Sequence, residues 1–88
     1  MPRIINLATV LSMTFTQLIA QDFQKGQTAF DEGNYAIAVR EWKPLAERGT
    51  AFAKVSLGAL YFAGLGVNQA NAEAVRLFRL AANQGNAS

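Results

Sequence analysis

The 88-residue sequence contains no cysteine and no histidine. The first absence excludes disulfides, thiolate metal ligands and a cysteine nucleophile. The second removes the commonest general base and the commonest metal ligand. Charge is sparse, at 16% of residues against 51% hydrophobic, which sets the chain apart from disordered polyampholytes. Eight Lys and Arg residues are spread among six acids, for a net charge of +2. They form no dense basic stripe, so nucleic acid is not an expected partner. No glycine pattern follows a strand and opens a helix, which argues against a phosphate loop. Serines and threonines lack a histidine or an evident lysine base. Asp31-Glu32 are the only adjacent acids, and sequence neighbours point to different faces of a helix, so a solvated turn is expected there. These residues predict no enzyme, no metal and no cofactor.

What is present divides into an amino-terminal segment and a helical remainder. Met1-Pro2-Arg3 carries one positive charge, and Ile4 to Ala20 carries none. A cationic start, an apolar middle and a small final residue describe a secretory signal peptide over residues 1–20, cut after Ala20. A secreted or periplasmic chain beginning at Gln21 is expected, with no integral membrane role once the segment is removed. Two alternatives stand beside it: a retained anchor, for which the stretch is short and interrupted by Asn6, Thr9 and Gln17, and a plain amphipathic helix.

The remainder repeats itself. An offset of 36 residues pairs Ala38 with Ala74, Arg40 with Arg76, Trp42 with Phe78, Ala46 with Ala82 and Gly49 with Gly85. Tyr35–Gly49 and Asn71–Gly85 therefore read as two copies of one helix, each stopped by glycine. Another helix precedes each copy, over Asp22–Glu32 and Ala51–Ala63, with apolar spacings of three and four. Gly26 and Gly58 fall in the middle of these first helices. A mid-helix glycine costs about 1 kcal/mol against alanine, so it marks the close approach of a neighbouring helix. Pro44 lies inside the third predicted helix's predecessor, Tyr35–Gly49, where it removes a backbone donor and predicts a kink. The turn is Gly33-Asn34 in the first unit and the longer Gly64–Ala70 in the second, where Val67 is placed to tuck back onto the helices.

The order Ala51-x-Ala53-x-x-x-Leu57-Gly58-x-x-Tyr61-x-x-Gly64-x-Gly66-Val67, followed by Ala74-x-x-x-Phe78-x-x-Ala81-Ala82-x-x-Gly85, resembles a Sel-one-like repeat, a variant of the tetratricopeptide repeat. Residues 21–49 resemble a degenerate tetratricopeptide-like helical pair, and 50–88 one Sel-one-like repeat. The resemblance implies an all-α fold: a short α-solenoid of two helix-turn-helix units, an α/α superhelix. It departs from the family at Ala70-Asn71, where an acid is frequent, and at Phe78 and Trp42, where the family varies among aromatics.

The resemblance further implies an adaptor or scaffold that binds a protein or peptide. The first helix of each unit lines the concave face, which places Phe23, Gln27 and Phe30 of the first unit and Phe52, Val55, Ala59 and Phe62 of the second at the partner-binding surface. Lys25 and Gln24 lie beside them. A groove of this kind accepts an apolar helix or an extended peptide. The competing account makes the same aromatics ordinary core or inter-repeat packing. Trp42, aligned with Phe78, reads as a repeated core position rather than an interface anchor. Two units are fewer than the three a repeat array usually needs, so self-association through the open end is one expectation. A truncated fragment of a longer array, with no independent activity, is the alternative.

Overall fold

A computed structural model describes residues 22–86. Those residues form four helices and no strand. Helix α1 covers residues 22–31, α2 Tyr35–Glu47, α3 Ala51–Ala63 and α4 Asn71–Asn86. The all-α expectation is met at this level. The proposed signal segment, residues 1–20, and the cut after Ala20 lie outside the described residues.

Each helix ends for a local reason. After α1, Gly33 takes a left-handed φ of 81°, its amide donates to the Phe30 carbonyl, and the Asn34 amide donates to Ala29. After α2 the arrangement recurs: Gly49 has φ 101° and donates to Ala46, and Thr50 donates to Leu45. Gly64 closes α3 with φ 71°, and Leu65 donates to Leu60. These are Schellman-type ends, in which glycine accepts a conformation that a Cβ disfavours. The fourth glycine departs from expectation. Gly85 stays helical and α4 continues to Asn86. Glycine permits the left-handed turn without imposing it. In α3 the turn is held by Leu65, which packs back on the core.

Helix α2 runs through Pro44 without interruption. In the 64–70 loop, Leu65 is the side chain packed against the core, while Val67 is half-buried. Gly66 passes so close to the start of α2 that a Cβ there would lie 2.6 Å from the Tyr35 carbonyl.

The core follows from two small residues facing two rings. A Cβ on Gly26 would lie 2.2 Å from the Trp42 ring, and one on Gly58 would lie 2.7 Å from the Phe78 ring. Each glycine therefore lets the following helix seat an aromatic directly on its backbone. Trp42 is 2% exposed, and its indole Nε1 donates to the Phe23 carbonyl at 3.0 Å. Ala29, Ala38, Leu45, Ala46, Ala53, Leu57, Leu60 and Leu77 complete the buried cluster across all four helices. Among the described residues, no polar or charged side chain is buried, so hydrophobic burial rather than a polar network holds the helices together. Helices α3 and α4 run antiparallel: Ala70 donates to the Tyr61 carbonyl at one end, and Lys54 Nζ donates to Gln84 Oε1 at 2.7 Å at the other. Gln84 also donates to the Gly49 carbonyl, tying α4 to the α2–α3 turn.

The two glycines make a graded prediction. In an open helix, Gly→Ala stabilises by about 1 kcal/mol. Here Gly26→Ala collides with an enclosed ring and is expected to destabilise by about 1–3 kcal/mol. Gly58→Ala meets the more exposed Phe78, which can swing outward, so its cost is smaller. Urea unfolding of both variants checks the order; a gain in stability for Gly26→Ala would contradict the packing.

Candidate interaction surface

The residues named from sequence fall into two groups. Phe23, Gln27 and Phe30 on α1 are half-buried. Phe23 stacks on Trp42 with ring centroids 5.3 Å apart, and Phe30 meets Tyr35 edge-on at 5.4 Å and Trp42 at 6.1 Å. Gln27 donates to Asp31 Oδ1 at 3.0 Å, one helical turn away. Asp31 and Glu32 are exposed at the turn. The α1 aromatics thus spend much of their surface on the fold.

The α3 members are different. Phe52 is 76% exposed, Phe62 62% and Val55 48%, and Ala59 is exposed between them. Helix periodicity places them along the outer side of α3, opposite Ala53, Leu57 and Leu60, which are buried. Phe52 and Phe23 are the pair that the structure brings together across the two groups, with centroids 6.3 Å apart. No charged residue occurs from Val55 to Ala72, so this face is apolar without ionic interruption. Exposed aromatics in such a setting are unusual for a small domain, which has few apolar side chains to spare from its core. Helix α4 adds Val75, 46% exposed, which sequence reasoning did not single out, and Phe78, which the 36-residue alignment with Trp42 had marked as a repeated core position but which is 37% exposed. Their signal was present in the 36-residue offset, which matches them to Val39 and Trp42.

On the other side of α4 lies a cavity of about 280 Å³ between α2, α3 and α4. Its rim carries Lys43, Glu47, Lys54, Glu73 and Arg76 around Leu57, Leu77 and Leu80. Arg76 bonds Glu73 through two nitrogens, at 3.0 and 2.5 Å. That hydrogen bonding holds the Glu73 carboxyl below its ordinary range, aided by the charges of Arg76 and Lys43 and opposed by partial burial. Glu73 also stands in the first turn of α4, where a negative charge complements the helix dipole. The alternating charges leave no carboxylate pair placed for acid–base work. Among the described residues there is no group of three His, Cys, Asp or Glu able to hold a metal. No helix among them is long and apolar enough to cross a membrane.

Protein-family models, curated proteins and solved structures yield no match to this chain.

Because Glu73 is lowered in the folded state, its contribution is present above the unfolded carboxylate value and is lost as pH falls through the folded one. The pair is well exposed, so the contribution is small: Glu73→Gln is expected to cost less than about 0.5 kcal/mol at pH 7. The variant's deficit should vanish in acid. Unfolding curves at neutral and acidic pH read this directly, and a deficit that persists in acid would assign the effect to something other than charge.

Proposed function

We propose that this chain is an exported interaction module, a short tetratricopeptide-like solenoid of two helical pairs whose exposed α3 face binds a protein or peptide. The observation that carries the reading is the run of large apolar side chains left in solvent on α3, with Phe52 and Phe62 foremost. Fully burying one such side chain contributes roughly 1.5–3 kcal/mol, so a partner that covers two or three of them gains a useful affinity without any ionic contact.

The two-unit reading is supported by the recurrence of one device. A glycine in the first helix of each pair lies beneath an aromatic of the second, Gly26 beneath Trp42 and Gly58 beneath Phe78. The first helices correspond at an offset of 32 residues and the second at 36, and the longer 64–70 loop takes up the difference. The Sel-one-like resemblance, with its glycine-valine loop, points the same way. The cationic start and uncharged stretch to Ala20 support export.

Selection of peptides from a displayed library against the full chain tests the binding reading. Selected apolar peptides are expected to lose affinity about tenfold or more on Phe52→Ala, with no loss of thermal stability because the side chain is largely exposed. Binding that survives substitution of Phe52, Val55 and Phe62 alike would remove the surface from consideration.

A further inference from the structure

The cleft between α2, α3 and α4 is separate from the exposed α3 face: none of Phe52, Val55, Ala59 and Phe62 lines it. Its floor is aliphatic, with Ala46, Leu57 and Leu77 buried and Leu80 40% exposed. Its polar side chains stand at two ends. Lys54 Nζ donates to Gln84 at 2.7 Å, and Gln84 donates to the Gly49 carbonyl. Those bonds place Lys54 beside the α2–α3 turn, together with Glu47, the last residue of α2. At the other end, where Ala70 donates to the Tyr61 carbonyl, stand Tyr61, Lys43, Glu73 and Arg76. The charge of Lys43 reaches Glu73, and Tyr61 is near enough to Arg76 to act on it. Lys54 and Tyr61 are two helical turns apart on α3, about 10 Å.

The two ends are not equivalent. At the turn, the charges of Lys54 and Glu47 offset one another. At the Tyr61 end, Arg76 engages Glu73 through two nitrogens, which leaves the charge of Lys43 uncompensated. Lys43 makes no hydrogen bond or ion pair with another described residue, and the Tyr61 hydroxyl makes none either. An ammonium and a phenol O–H, both hydrogen-bond donors, are thus available at one end of an aliphatic trough. A carboxylate matches them, because it carries one negative charge and accepts from both. An apolar chain attached to it lies on Leu57, Leu77 and Leu80, in the direction of Lys54. The volume of about 280 Å³ stands at the lower edge of the roughly 300–1,000 Å³ of small-molecule sites, which suits a short acid and not a nucleotide or cofactor.

We propose that the α2–α3–α4 cleft binds a small aliphatic carboxylate, its anionic group between Lys43 Nζ and the Tyr61 hydroxyl and its apolar chain on Leu57, Leu77 and Leu80. This site is independent of partner binding at the α3 face. Glu73 opposes the incoming anion, and removing its charge releases Arg76 as a third donor. A ligand of so few atoms, held in a cleft open to water, binds with a dissociation constant in about the millimolar range.

The test is a titration of the isotopically labelled full chain with hexanoate, followed by amide chemical shifts. Saturable shifts are expected at Leu57, Tyr61 and Leu77, with Phe52 and Phe62 unmoved. Hexanamide, which keeps the chain and loses the charge, should bind about tenfold more weakly, as should acetate, which keeps the charge and loses the chain. Lys43→Gln should weaken hexanoate about fivefold, whereas Glu73→Gln should tighten it, a gain that no loss of fold can produce. The absence of saturable shifts at tens of millimolar hexanoate overturns the inference. So does hexanamide bound as tightly as hexanoate, or an affinity indifferent to both Lys43→Gln and Glu73→Gln. N-acetyl-leucine, a blocked peptide end, identifies the source of the acid. Tighter binding than hexanoate assigns the cleft to a chain terminus and weaker binding to a free acid, and either supports the site.

Discussion

The structure depends on the seating of Trp42 against the backbone of Gly26. The glycine removes the one atom that would hold the helices apart, the ring fills the space, and the indole N–H reaches the Phe23 carbonyl. Phe23 and Phe30 both pack against the ring, with centroids 5.3 and 6.1 Å from it. Truncating a buried aromatic costs roughly 3–5 kcal/mol, and a domain this small has little stability to spare. One side chain thus governs whether α1 and α2 behave as a pair, and that pair is the platform on which α3 is laid.

The second pair uses the same device in a weaker form. Phe78 occupies the position of Trp42, but it is a smaller ring with no N–H and remains 37% exposed. The molecule therefore grades from an enclosed pair to an open one, and its apolar exposure is concentrated at the open side. Burial is most complete around Trp42, and the large exposed apolar side chains lie on α3 and α4. The charged residues Lys43, Glu47, Glu73 and Arg76 rim the cleft between α2, α3 and α4.

Much of the helical arrangement was legible in the sequence because its signals are local. The bounds of α3 follow from Gly49 before it and Gly64 after it, and mid-helix Gly26 and Gly58 announced the close approach of a ring. Trp42 was recognisable as core from its alignment with Phe78. The glycine rule failed at Gly85, since a residue that permits a turn does not by itself make one. The candidate surface was less legible. Phe23 and Phe52 share a face by register, yet one is drawn onto Trp42 and the other left in water. That difference depends on Phe23 meeting the Trp42 ring across its own pair, a tertiary fact no spacing encodes. The same alignment misplaced Phe78, which shares its repeat position with buried Trp42 yet is 37% exposed.

The most direct measurement is hydrogen exchange of the Trp42 indole Nε1–H by nuclear magnetic resonance. If the ring sits on Gly26 and donates to Phe23, the proton exchanges only when the domain opens as a whole, and its protection should track global stability across a denaturant series. Exchange near the rate of a solvent-exposed indole, in a chain that remains helical, would contradict the account at its centre.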